Sequence, residues 1–351
     1  MNTPGVMIGE RHVGPASPCF IIAEVGVNHN GDPAMAEACV RAAAAAGADA
    51  VKFQTFRAGR LVAPGAPKAA YQQATTGAEG DQLSMLDELE LSPAAHQRLQ
   101  RVCADEGVLF LSTPFDAESL QLLLNLEVPA LKFGSGDLDN FLLMGAAKAS
   151  GLPLLVSTGM STAAEVAETV AFLREDAAAE FVLFQCVSAY PAPAAAQNLR
   201  TMPAMAQLFG CAVGFSDHTD GIGAAVAAVT LGACALEKHF TLDRLLPGPD
   251  HGASLEPDDF LRMVRAVRDA EASLGGSVKS VHEVERDIRS VARRSVVAGR
   301  DIAEGETLQL SDLDMKRPAG GLSGRDLRVL AGRRTVRALA AGEPLRWVDL
   351  R

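Results

Sequence analysis

The stretches Gly214-Phe-Ser-Asp-His218 and Leu236-Glu-Lys-His-Phe-Thr241 decide the fold that we predict for this chain. Each histidine comes at the end of a short apolar run of strand length, and the alanine- and valine-rich segment from Ile222 to Leu231 between them has helical length. If the two strands are parallel neighbours, His218 and His239 reach the same edge of one sheet. Two imidazoles leave coordination positions open for water or substrate, which predicts a catalytic metal site. The alternative is that each histidine only makes hydrogen bonds at a strand end.

Six further apolar runs of strand length precede this unit, and helix-like segments separate them. Several of these segments begin at a capping residue, as Asp32-Pro33 and Ser92-Pro93 do. Eight β/α units before residue 275 have the size and rhythm of a (β/α)8 TIM barrel, an α/β fold. A doubly wound sheet is the alternative, but no glycine-rich turn follows the first strand. The six runs are residues 20–25, 50–55, 108–113, 129–135, 153–158 and 181–186.

One connection is too long for an ordinary β/α loop. Residues 57–91 separate the second predicted strand from its helix. In a barrel this loop lies on the catalytic face, so it is either a lid or dimer arm, or a tolerated surface excursion.

Composition and charge exclude several classes of protein. The net charge of −11 argues against a general nucleic-acid binder. The chain has no run of eighteen apolar residues and no apolar N-terminal segment of the secretory type, so we expect no membrane span. Six cysteines show no C-x-x-C spacing and most lie within apolar runs, which predicts reduced core cysteines and a cytoplasmic protein.

The character of the chain changes near residue 275. We predict a TIM-barrel catalytic domain over residues 1–275, a charged linker over 276–293, and a small, mostly β domain over 294–351. The last 58 residues contain 11 lysines and arginines against 8 acidic residues, whereas the rest of the chain is strongly acidic.

Polar residues recur where the predicted strands end, the position at which barrel enzymes carry their chemistry. A lysine in a barrel strand can extend to the surface, and Glu24 alone can be a satisfied buried carboxylate. However, helices cover the outside of a barrel, so an inward lysine needs an anion. Lys52 and Lys132, with several neighbouring hydroxyl groups, therefore predict a phosphate-binding pocket beside the metal.

These motifs together resemble those of the sialic acid and legionaminic acid synthases, over nearly the whole chain. The residues that carry the resemblance are Ala23-Glu-Val-Gly-Val-Asn-His-Asn-Gly31, Lys52-Phe-Gln-Thr55, Ser112-Thr-Pro-Phe-Asp116, Lys132-Phe-Gly-Ser-Gly-Asp137, Ser157-Thr-Gly-Met160, Tyr190-Pro191, Phe215-Ser-Asp-His218, Glu237-Lys-His-Phe-Thr241 and Gly248-Pro-Asp-His-Gly-Ala-Ser254. The last 58 residues, including Lys316-Arg-Pro318, resemble the antifreeze-like (SAF) domain of that family.

The resemblance implies a TIM barrel followed by an SAF domain, in a domain-swapped homodimer whose small domain covers the partner's active site. It implies a phosphoenolpyruvate-dependent transferase that joins this substrate to an N-acetylated hexose, either N-acetylmannosamine or its 6-deoxy diacetamido analogue. The product is a nine-carbon 2-keto acid of the N-acetylneuraminate or legionaminate type, and phosphate is released.

The resemblance also implies a role for each motif residue. His218 and His239 would bind a divalent metal, Mn²⁺ in the first instance, with Mg²⁺ or Co²⁺ as alternatives. Glu24 and Asp137 would be catalytic carboxylates. The residues that would hold phosphoenolpyruvate are Lys52, Thr113, Lys132, Ser135, Ser157, Ser188 and Ser216. The residues that would hold the sugar are Gln54, Tyr190, Asp250 and, from the other subunit, Arg317.

This sequence departs from the family pattern at two positions. Asp137 stands where the family usually has glutamate, and Ser188 stands where some relatives have asparagine. Three alternative functions stay open: a pseudaminic acid synthase, a Schiff-base aldolase that uses Lys132 or Lys52, and a non-catalytic carbohydrate-binding protein. Tyr71-Gln-Gln and Leu89-Glu-Leu-Ser favour the sialic and legionaminic branch over the pseudaminic one.

Overall fold

A computed structural model describes residues 5–15, 17–77, 79–175 and 179–351 of the chain. The chain divides into two compact units after Gly275.

Eight parallel strands form the sheet of the first unit, in the spatial order β5-β4-β3-β10-β9-β8-β7-β6. Hydrogen-bonded ladders join all neighbours in this order, and β5 and β6 lie side by side where the ring meets, so the barrel is nearly closed. The predicted TIM-barrel fold is confirmed. The strands of this unit, including an N-terminal hairpin, are β1 Val6–Ile8, β2 Arg11–Val13, β3 Phe20–Gly26, β4 Ala50–Thr55, β5 Leu109–Pro114, β6 Leu131–Phe133, β7 Leu154–Ser157, β8 Phe181–Cys186, β9 Ala212–Asp217 and β10 Ala235–His239.

Helices surround the barrel, and two of them begin at the predicted capping residues Asp32 and Ser92. The Asp32 carboxylate accepts the Ala34 N–H at 2.8 Å, and the Ser92 hydroxyl accepts the Ala95 N–H at 3.2 Å. In the parts of the chain that the structure describes, no helix combines the length and the apolar character needed to cross a bilayer. The helices are α1 Pro33–Ala45, α2 Ala58–Leu61, α3 Ala70–Thr76, α4 Gln82–Asp87, α5 Pro93–Asp105, α6 Ala117–Asn125, α7 Phe141–Lys148, α8 Ala163–Arg174, α9 Thr201–Phe209, α10 Gly223–Thr230 and α11 Pro257–Leu274.

Apolar side chains fill the N-terminal end of the barrel. Ile8 and Val13 of the hairpin β1–β2 pack in one cluster with residues at the first positions of the barrel strands, such as Phe20 and Ala212. A second, larger cluster lies between the outward faces of the strands and the helices. Because the N-terminal end is filled and sealed, only the C-terminal end of the barrel can admit ligands.

The long connection between β4 and α5 is folded and contains the short helices α2, α3 and α4. Met85, Leu86 and Leu89 of this connection pack on Val27 and Phe56. The segment is thus anchored by its own apolar cluster, while its role as a lid or dimer arm stays a prediction.

The second unit contains the helices α12 Arg286–Ala292 and α13 Leu327–Leu330 and the antiparallel strands β11 Ser295–Ala298 and β12 Leu313–Lys316, around its own apolar core. An ion-pair pattern occurs twice in it. Arg300 contacts Glu306 and Asp312, and 37 residues further along Arg337 contacts Glu343 and Asp349. The unit is therefore built from two similar halves.

Candidate active site at the C-terminal end of the barrel

The two histidines of the predicted metal site lie together. His239 ends β10 and His218 follows β9, and these neighbouring strands are paired in parallel. The ring centroids are 5.3 Å apart and the ring planes make an angle of 62°. Both side chains are buried.

Both imidazoles present nitrogen atoms that suit a divalent cation. His218 Nδ1 lies 2.8 Å from the Val187 carbonyl oxygen and donates its proton to it, so Nε2, which lies 3.4 Å from the Ser216 hydroxyl group, is the nitrogen that can bind a metal. Neither ring nitrogen of His239 has a hydrogen-bond partner among the described residues, and its buried Nδ1 is unsatisfied. Burial, and then the nearby His218, hold the pKa of His239 well below its ordinary value, so the ring is neutral.

The histidine pair has no third protein ligand in the described ranges. No group of three or more histidine, cysteine, aspartate or glutamate side chains there is arranged to hold a metal ion. A cation bound by His218 and His239 would thus take its other ligands from water and substrate, which is the arrangement of a catalytic site.

Two buried lysines face two buried carboxylates next to the histidines. Lys52 Nζ lies 2.6 Å from Glu24 Oε2 and 3.8 Å from Glu237 Oε1. Lys132 Nζ lies 3.9 Å from Glu237 Oε2. All four side chains are at most 6% exposed. Glu237 is therefore shared between the two ammonium groups.

The two carboxylates differ in their proton affinity. Burial raises the pKa of Glu24 to about 7, although Lys52 opposes the shift. Burial also acts to raise the pKa of Glu237, but Lys132 and Lys52 outweigh it and the pKa falls below its ordinary value. Burial lowers the pKa of Lys132. Glu237 is the ionised partner of the lysines, and Glu24 titrates near neutrality.

The predicted phosphate-binding hydroxyl groups lie around the lysines. Lys52 Nζ donates to Thr113 Oγ1 at 3.1 Å, and Lys132 Nζ donates to Ser157 Oγ at 2.6 Å. Ser216 Oγ donates to Glu237 Oε1 at 3.4 Å.

Ser135 and Ser188 meet at a neighbouring point. Ser135 Oγ accepts the Gly159 N–H at 2.9 Å. A Cβ atom on Gly159 would come within 2.7 Å of Ser135 Oγ and 2.5 Å of Ser188 Oγ. Only glycine lets both hydroxyl groups approach this turn.

The residues predicted to hold the sugar lie near the histidines and Glu24. The centroid of the Tyr190 ring lies 4.3 Å from the centroid of the His218 ring and 5.1 Å from that of the Tyr71 ring. Gln54 Nε2 donates to Glu24 Oε1 at 3.2 Å. The Asp250 side chain is buried, and this burial raises its pKa to about 6.

Two of the predicted site residues are not joined to this group by contacts. Asp137 is half-buried and its carboxylate accepts a hydrogen bond from Asn140 Nδ2 at 2.9 Å, not from the lysines. Arg317 is exposed and belongs to the second unit.

Glu237 was not among the residues predicted for the site, although alternation along its strand contains the signal. Glu237 and His239 are two residues apart and therefore lie on the same face of β10. Lys238 lies on the opposite face, where its Nζ is 2.9 Å from the Asp217 carboxylate of the paired strand. An inward histidine thus implies an inward Glu237.

Both parts of this chain match known protein families. Residues 39–279 match the model of the NeuB family, and residues 293–351 match that of the SAF domain. The chain belongs to the NeuB family. It is accordingly an enzyme, a transferase of the class that forms carbon–carbon bonds.

Several named synthases are relatives of this NeuB-family enzyme. It is 41% identical to the N,N′-diacetyllegionaminic acid synthase of Legionella pneumophila, over 97% of this chain and 96% of the relative. A Campylobacter jejuni protein of the same name is 40% identical over 87% of this chain and 92% of its own. The crystal structure of the N-acetylneuraminic acid synthetase of Leptospira borgpetersenii superposes with a TM-score of 0.72 at 30% identity, covering 82% of this chain and 95% of that one.

Proposed function

We propose that this enzyme condenses phosphoenolpyruvate with the open-chain form of an N-acetylated hexose and releases phosphate. The product is a nine-carbon 2-keto acid of the legionaminate or N-acetylneuraminate type. The observation that carries the proposal is one arrangement: two metal-competent imidazoles beside a buried pocket that holds Lys52, Lys132 and Glu24.

The charge of this pocket suits a small, strongly anionic substrate. In the free enzyme the two ammonium groups are balanced by Glu24 and Glu237. A phosphate and a carboxylate on one three-carbon molecule would bring further negative charge, and Lys52, Lys132 and the surrounding hydroxyl groups are the donors available to it.

Carbon–carbon bond formation needs an electrophilic aldehyde next to C3 of phosphoenolpyruvate. A divalent cation, which we propose to be Mn²⁺ with Mg²⁺ or Co²⁺ as alternatives, would act as a Lewis acid on the aldehyde oxygen. His218 and His239 would hold it, while Gln54, Tyr190 and Asp250 orient the sugar chain beside them. The new bond joins C3 to the aldehyde carbon, and the aldehyde oxygen becomes a hydroxyl group with the proton that the attacking water releases through Glu24.

Positive charge then develops at C2, and nearby carboxylates stabilise it. Glu24 accepts a proton from the water that adds to C2, with Asp137 as the second predicted carboxylate. The C2–O bond to phosphate breaks, the C2 hydroxyl gives its proton to the departing phosphate, and a ketone remains. Lys52 and Lys132 stabilise the departing phosphate.

The second subunit completes the site in this proposal. We infer a domain-swapped homodimer in which Arg317 reaches the acetamido group of a sugar bound to the partner. It is supported by an exposed apolar stripe in the second unit, at a helix-like spacing of three and four residues: Val281, Val284, Ile288 and Val291. An exposed stripe of this kind needs a partner surface.

We place the enzyme in the reducing cytoplasm, on the support of its cysteines. All six are buried and none is paired with another. Thiols of this kind are typical of proteins kept under reducing conditions.

The test is phosphate release by purified enzyme supplied with Mn²⁺ and phosphoenolpyruvate. N-acetylmannosamine, its 6-deoxy diacetamido analogue and the pseudaminic-type acceptor are offered separately, and each product is identified by mass. We expect turnover with one of the first two sugars, at a rate that His218→Ala or His239→Ala lowers by at least about 1,000-fold. His12→Ala, which changes an exposed histidine of the hairpin, is the matched control.

Other outcomes would select the alternatives. Chelator-resistant activity that borohydride destroys in the presence of pyruvate indicates a Schiff-base aldolase. Sugar binding that survives removal of residues 1–275 indicates a non-catalytic binding protein. Turnover only with the pseudaminic-type sugar would reassign the acceptor and leave the reaction class intact.

A further inference from the structure

The Asp250 carboxylate is buried beside the histidine pair, but nothing anchors it directly. It accepts no hydrogen bond and forms no ion pair with any residue that the structure describes. Its position is therefore set by its backbone, that is, by the segment Pro247–Asp250. The question is what holds this segment in place.

One chain of hydrogen bonds ends at the first residue of the segment. Asn30 Nδ2 donates to the Pro247 carbonyl oxygen at 2.8 Å. Asn30 Oδ1 lies 3.1 Å from His251 Nε2, which must carry the proton because the amide oxygen can only accept. His251 Nδ1 then accepts from the Thr241 hydroxyl at 2.6 Å. The chain runs from the residue two positions after His239 to Pro247.

A second chain ends at Asp250 itself. Asn28 Nδ2 donates to the Phe240 carbonyl oxygen at 2.9 Å and to Ser254 Oγ at 2.8 Å. Ser254 Oγ donates in turn to the Asp250 carbonyl oxygen at 2.7 Å. Asn28 and Ser254 are both buried. Hence both ends of the segment are tied to the turn after β3.

Close packing at Gly248 holds the segment in place together with the two chains of hydrogen bonds. Gly248 has a φ of +149°, and a Cβ atom there would come within 2.7 Å of His251 Cδ2 and 2.8 Å of Asn30 Oδ1. Only glycine permits the segment to lie this close to the Asn30–His251 pair.

We propose that Asn30, His251, Asn28 and Ser254 are positioning residues that fix Asp250 for the acceptor sugar, through the backbone of residues 247–250. This inference rests on the proposed function, in which Asp250 contacts the sugar. None of the four residues touches substrate in it. They act by holding a carboxylate that has no anchor of its own.

The experiment uses the full-length enzyme with Ser254→Ala and Asn30→Ala. Ser119→Ala is the matched control, since Ser119 is also buried and its hydroxyl also donates one 2.7 Å hydrogen bond, on the distant helix α6. Steady-state kinetics with each substrate varied separately give KM for the sugar and for phosphoenolpyruvate. Hydrogen–deuterium exchange of peptides covering residues 247–254 reports on the segment without any need for turnover.

We expect both positioning variants to lower kcat/KM for the sugar by about ten- to a hundredfold. KM for phosphoenolpyruvate should change by less than about twofold, and exchange across 247–254 should become faster. Ser119→Ala should change none of these. In an Asp250→Asn background, Ser254→Ala should have little further effect on the sugar, because both changes disable the same contact.

Equal losses for both substrates, or unchanged exchange across 247–254, would overturn the proposal. A wild-type enzyme that releases no phosphate with any acceptor would instead overturn the proposed function. The exchange measurement would then still decide whether the four residues hold the segment.

Discussion

At the C-terminal end of the barrel, the positive charges of Lys52 and Lys132 face the carboxylates of Glu24 and Glu237. Buried charges are tolerated only when they are paired, so each carboxylate serves stability as well as chemistry. Glu237 faces both lysines and the hydroxyl group of Ser216.

Glu237→Gln should separate binding from catalysis. The variant removes a negative charge that lies within 4 Å of both lysines and would repel an anionic substrate. We expect the Kd of phosphoenolpyruvate to fall severalfold, and kcat to fall by about 100-fold or more because the lysines and His218 lose their electrostatic partner. Calorimetric titration and steady-state assays would check this. Weaker substrate binding would contradict the assignment of the lysines to the anion.

The raised pKa of Glu24 predicts a pH dependence. A carboxyl group with a pKa of about 7 becomes ionised as the pH rises through neutrality. If ionised Glu24 accepts the proton of the attacking water, kcat/KM rises with pH below about 7 and then levels off, since this ratio reports the free enzyme. The Glu24→Gln variant should be much slower, and its pH profile of kcat/KM should lack the rising limb. A limb that persists in this variant would belong to another group.

At the scale of elements, the two ends of the barrel carry different kinds of side chain. The N-terminal end carries apolar residues sealed by the hairpin β1–β2, and the C-terminal end carries the charged and polar groups. Stability and chemistry therefore depend on different residues of the same strands.

Ile8→Ala should destabilise the barrel without changing its site. Ile8 is completely buried in the inner apolar cluster, so the cavity left by its side chain should lower the free energy of unfolding by about 2–5 kcal/mol. Met7→Ala is the matched control, because Met7 is 48% exposed on the same strand and should cost less than about 1 kcal/mol. Urea unfolding would measure both. KM values of folded Ile8→Ala should equal those of the wild type.

Elements of the barrel could be predicted closely, because buried parallel strands are uniformly apolar and stand between capped helices. The predicted run 108–113 is β5, Leu109–Pro114, and the predicted run 153–158 is β7, Leu154–Ser157. The helices of the 57–91 connection could not be predicted. They are short, and their apolar cluster with Val27 and Phe56 is formed by residues distant in sequence.

At the scale of the whole molecule, the chain consists of two units with separate apolar cores and opposite charge. The predicted role of Arg317 requires that the second unit of one subunit act on the barrel of another.

Mixing two inactive variants tests the exchange of domains. Arg317→Ala damages the contribution of the second unit, and Glu24→Ala damages the barrel. In a domain-swapped dimer, random mixed dimers contain one site with both parts intact, so about a quarter of wild-type activity should return after co-refolding or co-expression. Each variant alone is the control. Mixed dimers that stay inactive would show that each chain completes its own site.

Local signals in the chain sufficed to predict the barrel and the small second domain, and to nominate most residues of the candidate site. Strand-length apolar runs, caps and the spacing of His218 and His239 are local signals, and parallel connections bring strand ends to a common edge. The alternation Glu237-Lys238-His239 was also available from the chain alone, although its meaning depended on which face points inward.

Which of these residues interact follows only from the folded chain. That Glu237 is shared by Lys52 and Lys132, and that Asn30 ties down the segment before Asp250, depends on side chains up to about 220 positions apart in the sequence. Distances between such groups follow from strand register, side-chain rotamers and burial, and no local pattern encodes them. The pKa of Glu24 likewise follows from the burial and charges that the closed barrel creates.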